Sequence, residues 1–272
     1  MPNPHFKETH EQFIGTLQAA MARDERYLGL LAGGSLVTGG VDRYSDLDLI
    51  LVCRPEHRAE IMGERFALAE ACGGLLSAFT GEHVGEPRLL ICLYGPPALH
   101  VDLKFVSLDE LGDRTEDPAV LWERGGQVAE ALAGTAPRPH VFEPQRAEDR
   151  FWVWVHYAGT KLGRGELFEV IDHLSLMRSA VLAPLLSVLQ GLPVRGVRRL
   201  EQNLGDSALQ LLKNTVPEYS LDSCYRAIKT MIALYRCLRA KLPGLKIRRE
   251  AEEVAVAYVD EVYAGLSRGG AF

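Results

Sequence analysis

The segment Asp46–Cys53 is the feature that most restricts how this chain can fold. Its sequence, DLDLILVC, alternates acidic and apolar residues before it becomes apolar throughout. Successive side chains of a β-strand point to opposite faces, so Asp46 and Asp48 share one face and every second residue from Leu47 onward lies on the other. The pattern predicts a strand with one apolar face packed under helices and two carboxylates side by side on the other.

Two carboxylates so close together repel, and each raises the free-energy cost of ionising the other. A cation between them removes that cost, and hard carboxylate oxygens suit magnesium. The segment HVDLKFV repeats the alternation and places His100, Asp102 and Lys104 on one face. If both strands belong to one sheet, Asp102 joins the pair, and three carboxylates can hold two metal ions about 3.5–4 Å apart for phosphoryl transfer. The alternative is that Asp102 is a surface acid paired with Lys104.

A glycine-rich turn precedes the first acidic strand. The apolar run Tyr27–Leu31 predicts a buried strand, and Gly33, Gly34 and Ser35 follow it. Glycines let the backbone approach a phosphate closely, and the exposed N–H groups and a serine hydroxyl can then donate hydrogen bonds to anionic oxygens. The turn is therefore a candidate phosphate-binding site beside the carboxylates.

The pattern of the chain changes near residue 140. Before it, periodicity predicts helices over 8–23 and 58–72 and further strands over 88–94 and 99–106. Residues 134–144 contain three prolines and resemble a linker. After it, helices are predicted over about 146–162, 166–189, 197–213, 219–241 and 248–265. We expect an α+β protein with an α/β domain over 1–140, built on a mixed sheet with helices, and an all-helical bundle over 141–272.

Composition excludes several classes of protein. The formal net charge is -6, which argues against an overall basic surface for nucleic acid. No run approaches the ~20 apolar residues of a membrane span. The five cysteines show no paired spacing, which fits a reducing cytoplasm. We expect a cytoplasmic protein that binds neither nucleic acid nor a membrane.

The stretch GSLVTGGVDRYSDLDLILV, from Gly34 to Val52, resembles the signature of the DNA polymerase beta-like nucleotidyltransferase superfamily. That signature is a Gly-Ser turn, a short helix, an acidic-x-acidic strand and a third acid on a later strand. The positions that match it in this chain are Gly34, Ser35, Gly39, Ser45, Asp46, Asp48 and Asp102. The helical half is similar in size and placement to the C-terminal bundle of aminoglycoside- and lincosamide-type nucleotidyltransferases.

The resemblance implies a magnesium-dependent enzyme that transfers a nucleoside monophosphate, with ATP as the favoured donor, to a hydroxyl of a small molecule and releases pyrophosphate. An aminoglycoside- or lincosamide-like acceptor in a cleft between the domains is expected. The implied catalytic residues, which also hold two magnesium ions, are Asp46, Asp48 and Asp102. The nucleoside triphosphate is expected to contact Gly34, Ser35 and, from the helical domain, Lys161. Two alternatives stay open: transfer to a protein side chain, and a catalytically retired binding or antitoxin module.

The helix predicted to follow Lys161 is rich in acids. Its cluster consists of Glu166, Glu169, Asp172 and His173. The acids of this cluster either line a cleft that attracts a polycationic acceptor or lie on an exposed helix face with ordinary surface charges. The sequence does not separate these two interpretations.

Overall fold

A six-stranded mixed sheet organises the first half of the chain in the computed structural model, which describes residues 4–39, 41–139 and 141–268. Gly40 of the motif and His140 of the predicted linker lie outside the described residues. The strands are β1 (Tyr27–Ala32), β2 (Leu47–Cys53), β3 (Leu75–Gly81), β4 (Glu86–Tyr94), β5 (Leu99–Ser107) and β6 (Ala119–Glu123). Their order is β3-β4-β5-β2-β1-β6, with β2 and β5 parallel and the other neighbours antiparallel.

The sheet and the helices that follow it confirm the predicted α+β fold class. Four of the six strands were predicted, and β3 and β6 were not. The chain forms two compact units, Met1–Pro139 and His140–Phe272. The second unit has no β-strand among its described residues.

The alternation in β2 and β5 produces two unlike faces of the sheet. One face packs against α1 (Pro4–Arg23) and α3 (Arg58–Ala71), and its side chains are almost completely buried. Core members from the two central strands are Leu47, Leu49, Leu51, Val101, Leu103 and Phe105. Burial of these apolar side chains stabilises the packing of the two helices against the sheet.

Among the described residues of this unit, helix α4 (Gln127–Ala133) covers one end of the opposite face. There α4 contributes Val128 to a small cluster that includes Val52 of β2 and Val106 of β5. At the other end, where β2 and β5 begin, Asp48 and Asp102 remain partly exposed. At this end of the face the two carboxylates are accessible to a ligand.

The second unit is built from five main helices. They are α5 (Pro144–Gly163), α6 (Leu167–Leu189), α7 (Asp206–Lys213), α8 (Leu221–Arg239) and α9 (Arg249–Ser267), with a π-helical segment, Arg178–Leu182, inside α6. By length and hydropathy α6 could span a membrane, but 56% of its apolar window is buried in the unit, as in the core helix of a globular protein. The helix predicted over 197–213 is wrong in part: Leu200–Asn203 forms one turn, and the extended backbone of Gly205 separates it from α7.

A buried carboxylate lies where the beginning of α5 meets the end of α8 and the beginning of α9. Glu148 has no exposed surface, and it accepts hydrogen bonds from Trp152 Nε1 (3.0 Å), the Tyr235 hydroxyl (2.6 Å) and Arg239 (3.0 Å). Burial by itself raises the pKa of Glu148, and these donors together with the backbone N–H of Arg248 reverse the effect, so that its pKa lies below the usual value. Glu148 therefore joins α5 and α8 as an ionised, fully bonded group.

Candidate active site

Gly34 and Asp48 are brought into direct contact by the turn after β1. The Gly33 N–H donates to the Asp48 carbonyl oxygen at 2.8 Å, which holds the turn on β2. Gly34 has a φ of 58°, and a Cβ atom there would lie 1.9 Å from Asp48 Oδ2. Only glycine combines this backbone conformation with such close approach of a carboxylate. The structure thus places the glycine turn and a carboxylate of β2 against each other.

Ser35 presents a buried hydroxyl at the same turn. The residue is 6% exposed, and its Oγ has no hydrogen-bond partner among the described residues. A buried polar atom without a partner carries a desolvation cost that a bound hydrogen-bonding ligand removes. The short helix α2 (Gly34–Thr38) begins here. Ser35 Oγ is therefore suited to donate to an anionic oxygen that reaches the turn.

Asp48 and Asp102 are cross-strand partners. The parallel register of β2 and β5 aligns them directly, so their backbones are separated by one strand spacing of about 4.8 Å and their side chains share a face. Asp102 Oδ1 lies 2.9 Å from His100 Nε2. Lys104 pairs with Glu86 at 2.9 Å, so the alternative in which Asp102 pairs with Lys104 is wrong.

Asp46 lies one residue before β2, which begins at Leu47 and not at Asp46 as predicted. The loop before it is held by a local turn: the Tyr44 N–H donates to Asp42 Oδ1 at 2.8 Å, and the Asp42 N–H donates to Ser45 Oγ at 2.9 Å. This turn determines where the chain enters the strand, and with it the position of Asp46.

His10 is a residue near this site that sequence reasoning missed. It is 5% exposed, and burial lowers its pKa, while a backbone hydrogen bond with Ser45 and the charge of Asp46 act in the opposite direction. The ring therefore lies against the Ser45–Asp46 segment. The sequence does indicate that His10 is buried. It lies three residues before Phe13 and seven before Leu17, which places all three on the buried face of α1.

The carboxylates do not form a ready-made metal cluster. Within residues 4–39, 41–139 and 141–268, no group of three or more His, Cys, Asp or Glu side chains is arranged to hold a metal ion. Asp102 is engaged with His100, and the carboxylate of Asp48 lies against Gly34. Aligned hard oxygen donors on adjacent strands nevertheless suit a magnesium ion by their chemistry.

Comparison with known proteins finds matches among solved structures. No protein-family model and no curated protein sequence matches the chain. An aminoglycoside 6-adenyltransferase from Bacillus subtilis is 15% identical, with a TM-score of 0.40 over 93% of this chain and 98% of that one. A nucleotidyltransferase-like protein from Exiguobacterium sibiricum is 12% identical, with a TM-score of 0.40 over 95% and 89%. CdnC from E. coli with ATP is 13% identical, with a TM-score of 0.30 over 95% and 91%.

Lys161 belongs to the second unit, where it is ion-paired. Its Nζ lies 2.6 Å from Glu166 Oε2 and 5.2 Å from the centre of the Tyr157 ring, and the bond to Glu166 raises the pKa of Lys161. Glu169 accepts a hydrogen bond from the Tyr157 hydroxyl at 2.5 Å and, with Asp172, lines an open groove of this unit. That these acids attract a polycationic acceptor stays a prediction.

Proposed function

We propose that this protein is a nucleotidyltransferase that moves a nucleoside monophosphate from a nucleoside triphosphate, ATP being the favoured donor, to a hydroxyl of a small molecule. The observation that carries the proposal is the alignment of Asp48 with Asp102 on adjacent parallel strands, with the Gly34 turn against Asp48. Catalysis of phosphoryl transfer consists almost entirely of positioning and charge stabilisation, and this arrangement supplies both.

The donor is held at the glycine turn. Backbone N–H groups of the turn and Ser35 Oγ donate hydrogen bonds to oxygens of the β- and γ-phosphates. Asp46, Asp48 and Asp102 would hold magnesium. When bound, the metal neutralises charge on the triphosphate and lowers the pKa of the acceptor hydroxyl.

The acceptor hydroxyl is positioned at Asp102. Its oxygen forms a bond to the α-phosphorus while the bond from that phosphorus to pyrophosphate breaks, and its proton passes to the Asp102 carboxylate. His100 Nε2, 2.9 Å from Asp102 Oδ1, orients that carboxylate. The general base is thereby placed on the strand next to the one that contacts the donor.

Two further features belong to the proposal. Lys161 stays a predicted triphosphate contact. A cytoplasmic location is supported by the five cysteines, all of which are free thiols in the structure.

The proposal is tested by calorimetric titration of ATP, GTP, CTP and UTP into the protein, with and without magnesium. We expect magnesium-dependent binding of at least one nucleotide, and its loss in the double variant Asp46→Ala, Asp48→Ala. Asp109→Asn, which removes an exposed carboxylate of the same unit, serves as the matched control and keeps binding. A folded wild-type protein that binds none of the four nucleotides refutes the proposal. Nucleotides that bind are then screened with hydroxylated acceptors, and products are detected by mass.

A further inference from the structure

A row of residues in register crosses the uncovered face of the sheet. Asp48 pairs with Asp102, Asp102 pairs with Ile91 of β4, and Ile91 pairs with Phe79 of β3. Directly paired residues of neighbouring strands point to the same face. The two carboxylates therefore continue, without interruption, into an apolar surface on β4 and β3.

This apolar surface is exposed. Phe79 is 50% exposed and Leu93, which pairs with His100, is 43% exposed. The alternate residues of β4, Leu90 and Cys92, are buried in the core on the other face. A contiguous exposed apolar patch that is bordered by polar groups is one mark of a ligand-binding surface. We refer to Phe79, Ile91 and Leu93 as the apolar strip.

The order of the strands indicates which of the two substrates, the nucleotide donor or the acceptor, reaches the apolar strip. The glycine turn follows β1, on one side of β2, whereas β5, β4 and β3 extend on the other side. Attack at phosphorus is in line, so the entering hydroxyl lies opposite the departing pyrophosphate. If the pyrophosphate leaves at Gly34 and Ser35, the acceptor enters across Asp102, and the body of the acceptor extends over β4 and β3.

We propose that the apolar strip is an acceptor subsite and that the acceptor carries an apolar, ring-bearing group next to the hydroxyl that is modified. The inference rests on the proposed function, because it uses the direction of in-line attack. An aromatic side chain such as Phe79 offers a flat face on which a ring can stack. A uniformly polar, polycationic acceptor has no use for this surface.

The test uses two probes that share a hydroxylated ring and differ in one group: 2-naphthyl β-D-glucopyranoside and methyl β-D-glucopyranoside. Their affinities are measured by saturation-transfer NMR, alone and with magnesium and α,β-methylene-ATP, which cannot react. We expect the naphthyl probe to bind at least about tenfold more tightly than the methyl probe, and Phe79→Ala or Leu93→Ser to lower its affinity about fivefold or more.

Phe66→Ala is the matched control. Phe66 is 40% exposed, but it belongs to α3, which packs on the opposite face of the sheet, so this variant keeps full affinity. Thermal unfolding reports whether each variant is folded, and Leu93→Ser provides an independent test if Phe79→Ala does not fold.

Three results overturn the inference. The first is equal affinity for the two probes, including no detectable binding of either. The second is equal loss of affinity in Phe79→Ala and Phe66→Ala. The third is displacement of the naphthyl probe by α,β-methylene-ATP, which would assign the strip to the nucleotide. Each of these results leaves the proposed function intact if nucleotides still bind in the presence of magnesium. Nucleotide binding is measured separately, by the calorimetric titration described above, and its failure would refute the proposed function itself.

Discussion

Replacement of Gly34 by alanine tests how closely the turn and the carboxylate depend on each other. The new Cβ would lie 1.9 Å from Asp48 Oδ2 and 3.0 Å from its Cγ. Ordinary contact needs roughly 3.5 Å, so the carboxylate oxygen has to move by about 1.5 Å. In addition, a positive φ costs an alanine residue about 1–2 kcal/mol.

Gly39→Ala separates these two effects. Gly39 also has a positive φ, 70°, but nothing lies within 4 Å of the position that its Cβ would take. The positive φ should therefore cost both variants about 1–2 kcal/mol of stability in chemical denaturation, and the clash with Asp48 should lower the stability of Gly34→Ala further. Only Gly34→Ala displaces Asp48, and a displacement of about 1 Å in a catalytic group can reduce turnover about 100-fold.

The assay is calorimetric titration of the nucleotide that binds wild type, in the presence of magnesium. We expect affinity at least about tenfold lower in Gly34→Ala, which corresponds to about 1.4 kcal/mol, and a change of less than about threefold in Gly39→Ala. Equal affinities in the two variants would show that the contact between Gly34 and Asp48 has no part in the site.

Two further predictions concern stability. Glu148→Gln should lower the free energy of unfolding by about 2 kcal/mol or more, since it removes one of the two carboxylates that pair with the buried Arg239, the other being Glu252. Asp149→Asn, which removes an exposed ion pair, should cost much less. Similar urea midpoints for the two variants would contradict the predicted difference in stability. Hydrogen bonding from Arg88 lowers the pKa of Glu86 from 4.5 to about 2. The ionised form therefore stabilises the fold above pH 4.5, and this contribution is lost as the pH falls from 4.5 toward 2. Between pH 4.5 and pH 2, the free energy of unfolding measured with urea should fall less in Glu86→Gln than in wild type. An equal fall in both proteins would refute the lowered pKa of Glu86.

The sequence by itself determined the two-faced central strands. In DLDLILVC the period of two separates acids from apolar residues, and the structure buries Leu47, Leu49 and Leu51 on one face of β2 while Asp48 stays partly exposed on the other. The change from strand to helical patterns near residue 140 likewise follows from local periodicity. These features are readable because they depend on residues only a few positions apart.

The tertiary structure decided what lies beside what. The pairing of Asp48 with Asp102, and of Asp102 with Ile91 and Phe79, is a matter of register between distant segments, which no local pattern specifies. Strand β3 was missed for a related reason: its residues are largely exposed, so it lacks the apolar alternation of a strand with one buried face. His10 reaches the Ser45–Asp46 segment only because α1 packs across the sheet. Local chemistry therefore identified candidate groups, and long-range packing brought them together because burial of the apolar faces allows few arrangements of the strands.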